Sequence, residues 1–178
     1  RIERGALDFS ASEALLELSS GSVVSIKKDE RNDTHRLIEE LMLLANVCAA
    51  KFLEENSKSF LYRNHESPDL LKWEQLRKSL ATLGISVDSG GLTPKTVQNL
   101  LSEIALHRSG DIYQRLVLKS LQQAMYEPDK KGHFGLALNS YTHFTSPIRR
   151  YPDLLVHRAI KSILLGIEQA DSAIEGNL

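Results

Sequence analysis

The sequence predicts an α+β protein, predominantly α-helical, with four or five helices and a few short antiparallel strands. Three observations carry this expectation. Long stretches repeat apolar residues at helical spacing, as in Leu37, Ile38, Leu41, Met42, Leu44, Ala45, Cys48 and Ala49. Hydroxyl or Asx residues, prolines and glycines stand where such stretches open and close. The β-favouring runs are brief and bounded by Gly and Ser.

In chain order, Gly5-Ala6-Leu7-Asp8-Phe9 reads as a short strand. Leu15 to Leu18, Ser19-Ser20-Gly21 and Val23 to Ile26 read as a hairpin, although Glu13-Ala14-Leu15 could equally begin a helical turn. Asn32 or Asp33 caps a long helix reaching about Asn56, whose apolar positions nearly encircle it, the pattern of a helix enclosed in a larger body. Phe60 to Arg63 is a brief extended segment. Ser67 as N-cap, Pro68 at the first helical position and Gly84 past the end delimit a second helix, because a proline there forfeits an N–H that would go unpaired anyway. After a Gly/Ser-bearing loop from Ile85 to Leu92, Thr93-Pro94 opens a third helix expected to stop near Gly110. Asp111 caps a fourth, with Leu116, Val117, Leu121 and Ala124 at helical spacing, which runs out before Pro128. A last helix enters at Ser146-Pro147 or at Tyr151-Pro152 and continues to about Leu165. Residues 1–165 then form one unit, and the small, polar, acidic stretch 166–178 is expected to be a linker or frayed tail.

Composition narrows the function classes. Of 178 residues, 42% are hydrophobic and 25% charged, as in an ordinary globular domain. A formal net charge of −1 exerts no global pull on phosphate, so any nucleic-acid site must be a local patch. No apolar run approaches the roughly 18 residues that span a bilayer. The opening Arg1-Ile2-Glu3-Arg4 has neither an initiator Met nor a signal-peptide core, so a cytoplasmic protein without a membrane partner is expected, its chain starting inside a longer product. The single cysteine, Cys48, excludes an internal disulfide framework and, within its apolar helix, is expected to be buried and inert. Six histidines without H-E-x-x-H or Cys/His ligand spacing argue against zinc, and no G-x-S-x-G or phosphate-binding glycine loop occurs.

The stretch from Tyr126 to Asp153 is where chemistry concentrates. It is dense in aromatics, histidines and hydroxyls, among them His133, Tyr141, His143, Phe144, Thr145 and Ser146, and it ends in Pro147-Ile148-Arg149-Arg150-Tyr151-Pro152-Asp153. Free N–H groups of an opening helix and two guanidinium forks would converge there on an anion, with phosphate the natural candidate. His157, Arg158 and Lys161 add positive character, and Tyr141 and Phe144 add rings on which a base could stack. The plainer alternative is that Arg149 or Arg150 pairs with Asp153 at helical spacing and the rings are core. On the long helix, projection at about 100° per residue from His35 puts Glu39 at roughly 40° and Asn46 at roughly 20°. These three form a polar strip that lines a cleft or finds internal partners, whereas Glu40 falls beside Arg36. Tyr62-Arg63-Asn64-His65-Glu66 reads as a surface loop.

Several blocks closely resemble the latter half of the RNB catalytic domain of exoribonucleases in the ribonuclease R / ribonuclease II family. They are Arg4 to Phe9, Asn32 to Asn46, Leu61 to Glu66, Gly132 to Ala137 and His143 to Arg158, in order over roughly residues 1–165. The last block, with two arginines and Tyr-Pro-Asp, is more similar to the ribonuclease R branch. The resemblance implies a processive 3′-to-5′ exoribonuclease that threads single-stranded RNA and releases nucleoside 5′-monophosphates. It implies that Arg149 stabilises the scissile phosphate and that one of Glu39 and Glu40 contacts the terminal nucleotide, the helical projection favouring Glu39. Arg150, Tyr141, His143, Thr145, Ser146 and His133 are the expected RNA-binding residues. The family's Mg²⁺ is held by an aspartate cluster upstream of the Gly5 block, and nothing like it occurs here, since Asp8, Asp29, Asp33, Asp69 and Asp88 are scattered singly. No metal ligand is therefore expected in this chain, Mg²⁺ belongs to the intact parent, and the piece alone is expected to be inactive. Its expected partners are single-stranded RNA and the N-terminal half of the same catalytic domain. The other readings are a degenerate RNB protein that binds RNA without cleaving it, and a helical interaction module with no nucleic-acid role.

Overall fold

The computed structural model describes residues 2–9, 13–29, 32–87 and 91–167. Five helices and two small antiparallel sheets make the α+β fold that the sequence predicts. Strand β1 (Glu13–Ser19) pairs with β2 (Ser22–Asp29), from Glu13 opposite Asp29 to Ser19 opposite Ser22, with an irregularity at Glu17/Leu18. Positive φ at both Ser20 (51°) and Gly21 (79°) gives the two-residue turn whose twist matches that of the strands it joins. The segment Gly5 to Phe9 is not a strand. It is a turn followed by extended chain, and it docks through the Leu7 N–H on the Gly135 carbonyl (2.8 Å) while Ala6 and Leu7 are buried.

Helix α1 (Asp33–Glu55) opens on Asn32, whose side chain accepts the His35 N–H at 2.9 Å. It is followed by β3 (Tyr62–Asn64), α2 (Leu70–Thr82), α3 (Pro94–Ala105), α4 (Gly110–Ser120), β4 (Met125–Glu127), a 3₁₀ turn (Phe134–Leu136) and α5 (Tyr151–Leu165). Four boundaries differ from expectation. Helix α2 is capped by Asp69, not Ser67, because a carboxylate accepting from both Leu71 N (2.9 Å) and Lys72 N (3.2 Å) also complements the helix dipole. Helix α3 opens on Thr93-Pro94 as predicted but stops at Ala105. Gly110 serves the next helix instead, since a Cβ there would lie 2.8 Å from the Ile104 carbonyl oxygen. Asp111 is a first-turn residue of α4 rather than its cap, and the helix ends at Ser120, so that Met125–Glu127 can pair with Asn64–Tyr62. Helix α5 starts at Tyr151, the second of the two candidate entries, and closes on Gly166 at φ +63°. The tail expected over 166–178 lies outside the described residues from 168 onward, as do residues 88–90 of the loop after α2.

Two cores result. One joins Trp73, Leu76 and Leu80 of α2 to Ile85, Val97, Leu101 and Ile104 around α3, with Val117 of α4 and Leu7. The other sets Ala49, Ala50 and Leu53 of α1 against Phe60 and against Val156 and Ala159 of α5. At the C-terminal end of α1, Glu54 Oε1 accepts from Tyr62 Oη (3.1 Å), Ser140 Oγ (2.8 Å) and Lys130 Nζ (2.9 Å), tying helix, strand and the loop after β4 together.

The N-terminal half of α1 is not enclosed. Leu37, Ile38, Leu41 and Leu44 are each more than half exposed, as are Leu16, Leu18, Val23, Val24 and Ile26 of the hairpin. Cys48 is likewise exposed rather than buried, because the buried stripe of the helix is Asn46, Ala49, Ala50 and Leu53, and Cys48 lies off it. Arg36 pairs with Asp33 (3.5 Å) one turn earlier on the same helix. No helix among the described residues is long and apolar enough to cross a membrane.

The contrast between enclosed and open leucines is measurable on the 178-residue chain. Leu80→Ala, at a fully buried position, is expected to cost about 2–5 kcal/mol, and Leu41→Ala less than about 0.5 kcal/mol, by urea unfolding. Equal costs at the two sites would contradict this division of the fold.

Candidate nucleic-acid interface

The segment from Pro128 to Arg150 contains no strand and only one 3₁₀ turn, so most of its polar backbone needs partners from outside itself. Four buried or nearly buried side chains supply them. Asn64 donates to Glu127 Oε2 (2.9 Å) and to the Asp129 carbonyl (2.7 Å) and accepts from Lys131 N (3.2 Å). His65 accepts the Gly135 N–H on Nδ1 (3.1 Å), an approach that only glycine permits because a Cβ at 135 would lie 2.8 Å from that nitrogen. Asn46 donates to Tyr141 Oη (2.8 Å) and accepts from the N–H groups of Phe144 (2.9 Å) and Thr145 (3.3 Å). Asp153 accepts the Ser146 N–H at 2.7 Å. The Tyr62–Glu66 segment is therefore no surface loop. Its Asn64 is 2% exposed and its His65 9%, both used internally.

Rings run through this wall in edge-to-face contact. His65 meets His133 (centroids 5.0 Å), His133 meets Tyr141 (5.4 Å), Tyr141 meets His143 (5.7 Å) and His143 meets Tyr126 (5.6 Å). Arg63 caps the series, its guanidinium 4.5 Å from the Tyr126 centroid. Burial, followed by the charges of His65 and Arg63, pushes His133 down to about 3. Burial and the nearby Arg150 push His143 down to about 4. Burial also lowers His65. At neutral pH these rings are uncharged, and His133, accepting the Leu136 N–H on Nδ1 (3.2 Å), carries its proton on Nε2.

Tyr141 is 5% exposed and enclosed by His133, His143 and Asn46, so it supports the wall and offers no open face for a base. Phe144 is stacked on His157 at 4.2 Å and 9°, with His157 Nε2 on the Phe144 carbonyl at 2.8 Å. Thr145 Oγ1 is buried without a hydrogen-bond partner. The two adjacent arginines diverge. Arg150 sends Nη2 to Asp153 Oδ1 at 2.8 Å, which is the pairing that sequence spacing offered as the plainer alternative, and Arg149 is exposed with no ion pair or side-chain hydrogen bond among the described residues. The Ser146-Pro147 turn precedes the helix and does not open it, so the helix N–H groups expected beside Ser146 are not there.

Of the polar strip on α1, Asn46 is an internal clamp, Glu39 is half-buried, and His35 is exposed beside the helix cap. Glu39 lies seven residues before Asn46, about 10 Å along the axis. The structure thus gathers Asn46, Tyr141, His143, Thr145, Ser146, Arg150 and Asp153 through hydrogen bonds, an ion pair and ring contacts, with His133 joined through Tyr141. A second opening, a cavity of about 810 Å³ between His65 and Asn139, is lined by Lys130 and Lys131. Those ammonium groups are spent on Glu54 (2.9 Å), Glu66 (2.9 Å) and Glu127 (3.0 Å), which leaves Arg149 the better anchor for an anion. Among the described residues, no group of three or more His, Cys, Asp or Glu is arranged to hold a metal ion, so the residues present do not fit a Mg²⁺ site.

Comparison with known proteins places these features in a family. The RNB domain model matches residues 1–166. Ribonuclease R of Escherichia coli (strain K12) is 43% identical over 166 residues, which is 92% of this chain and 20% of that protein. The solved structure of Mycoplasma genitalium RNase R in complex with ribose methylated single-stranded RNA superposes with a TM-score of 0.86 at 30% identity, over 97% of this chain and 28% of that one. A yeast pseudonuclease gives a TM-score of 0.68 at 26% identity, over 80% and 18%. The chain spans about a fifth of the length of the curated relatives it matches.

The depressed histidines make stability depend on pH in one direction. Below the unfolded value of about 6.5 the unfolded chain takes up protons that His133 and His143 refuse until about 3 and about 4. Their contribution is complete above pH 6.5 and is lost as pH falls from there toward 4 for His143 and toward 3 for His133. Urea midpoints of the 178-residue chain are expected to drop between pH 7.5 and 5, and less so in His133→Gln. Imidazole NMR signals of the two residues that titrate near 6.5 would contradict the assignment.

Proposed function

The chain belongs to the RNB domain family, and from that premise we propose that the polypeptide containing it is a processive 3′-to-5′ exoribonuclease acting on single-stranded RNA in the cytoplasm. The observation that carries this reading is the guanidinium of Arg149, exposed and without an ion pair or side-chain hydrogen bond among the described residues, on a turn anchored from beneath by Asp153. A planar fork with no internal partner suits a phosphodiester, and its held position favours the extra negative charge that builds on the phosphoryl oxygens as water attacks. Attack at phosphorus breaks the bond to the 3′ oxygen of the preceding nucleotide, releasing a nucleoside 5′-monophosphate and leaving a 3′ hydroxyl for the next cycle. Arg149 stabilises that phosphate, and Glu39, projecting from α1, contacts the terminal nucleotide. His133, His143, Thr145 and Ser146 border the RNA path, with Tyr141 and Arg150 behind them.

In this proposal Mg²⁺ is held by carboxylates of the parent outside residues 1–178, and this piece, residues 1–165 of which form the C-terminal half of the catalytic domain, is inactive alone. The remainder of that domain covers the exposed apolar faces of α1 and the hairpin, which are larger than an isolated soluble surface favours. A second reading, RNA binding without cleavage, is favoured by the likeness to the yeast pseudonuclease.

The test uses the full-length polypeptide and a 5′-labelled single-stranded oligoribonucleotide with Mg²⁺. Stepwise release of nucleoside 5′-monophosphates is expected, abolished by chelation, and absent with the 178-residue chain alone. Arg149→Ala should lower kcat by about 10²-fold or more, the scale of losing one charge-stabilising donor, while RNA affinity in the presence of chelator changes only a few-fold. Tight binding without cleavage by the wild type would support the second reading. Equal losses of affinity and turnover in Arg149→Ala would remove the catalytic role of that residue.

A further inference from the structure

Asp153 has no exposed surface, yet it is a carboxylate, and such burial is favourable only when its charge is matched. It sits in the first turn of α5, a rigid base, and reaches back seven residues to accept the Ser146 N–H at 2.7 Å on the same oxygen that takes Arg150 Nη2 at 2.8 Å. The Ser146 carbonyl is used as well, by Arg149 N (3.3 Å) and Arg150 N (3.1 Å). Both backbone groups of Ser146 are therefore committed, Pro147 has a fixed φ, and the turn ends where Arg150 is pinned. Between these fixed points the chain exposes Ile148 completely and Arg149 largely.

The pair is not an optimised stabiliser. Asp153 Oδ2 and Arg150 Nε are buried without hydrogen-bond partners, so the second arm of the guanidinium–carboxylate fork is not made. A buried ion pair with one open arm is a costly way to close a turn that apolar residues could fill. What it supplies is geometry, since it fixes one arginine inward and thereby sets the backbone from which its neighbour projects outward. We propose that Asp153, acting through Arg150 and the Ser146 N–H, is the positioning residue for Arg149, and that Arg150 serves the turn rather than the RNA. This deepens the proposed function and rests on it. Pre-setting the guanidinium removes an ordering cost at the moment of reaction, so the effect belongs to turnover rather than to affinity.

Asp153→Asn in the full-length polypeptide keeps an acceptor for Ser146 but discharges the pair. Its kcat on single-stranded RNA is expected to fall 10- to 100-fold, with affinity measured in chelator changed less than threefold and thermal unfolding still cooperative. In an Arg149→Ala background the same change should add less than twofold, because the group it positions is gone. Arg150→Ala should mimic Asp153→Asn, and Arg150→Lys, which retains a cation for the carboxylate, should recover most of the loss. That last pair tests the idea even if Asp153→Asn does not fold. The inference is overturned by an active wild type whose Asp153→Asn keeps its kcat within threefold. It is equally overturned by full additivity with Arg149→Ala, or by Arg150→Lys faring no better than Arg150→Ala. A wild type that cleaves no RNA removes the functional reading and this inference together, whereas the other outcomes remove the inference alone.

Discussion

A stretch of more than twenty residues with almost no regular hydrogen bonding must borrow its partners, and this requirement governs the whole interface. Asn46, Asn64, His65 and Asp153 each turn a buried polar side chain toward the backbone between Pro128 and Arg150. The donors and acceptors come from α1, β3, the residue after β3 and α5, so the wall has a defined shape only when both cores are in place. Buried polar groups that hold a backbone in this way confer uniqueness more than stability, because their desolvation offsets much of what each bond contributes. Stability comes instead from the two apolar clusters on either side.

Charge is distributed with the same economy. The basic residues around the loop after β4 are neutralised by Glu54, Glu66 and Glu127, Arg150 is neutralised by Asp153, and the histidines of the ring series are held neutral by burial. In a chain with a formal net charge of −1, the exposed Arg149 gains its prominence from this local quenching. A diffuse basic surface would attract RNA anywhere along its length. A guanidinium without an ion pair among the described residues, on a turn held at both ends, is instead fixed at one place.

Much of this was legible from sequence because it is local. Thr93-Pro94 announces α3, Asn32 or Asp33 announces α1, and Ser19-Ser20-Gly21 between two β-favouring runs announces the hairpin. The motif blocks were legible for another reason: they resemble those of one family, and the RNB domain match over residues 1–166 and the 43% identity with a ribonuclease R agree. The polar strip on α1 was also correctly picked out as unusual, and Asn46 within it finds its partners inside the protein.

What the linear pattern could not decide is which of two adjacent chemically equal groups faces inward. Arg149 and Arg150 share composition, spacing and neighbours, and Asp69 outcompeted Ser67 as a cap although both stand near the helix start, whereas Asn64 turned from surface to interior and Met125 left a helical pattern for a strand by contacts distant in sequence. By itself the sequence determined the helical character, the approximate place of each helix and the entry of α3, since these depend on period, caps and residue type within a few positions. Tertiary structure alone decided the direction of the arginines, the quenching of the lysines and the burial of the histidine ring series. The lysines and histidines depend on desolvation and on partners tens of residues away, and the choice between the arginines depends on the burial of Asp153, none of which a local pattern encodes.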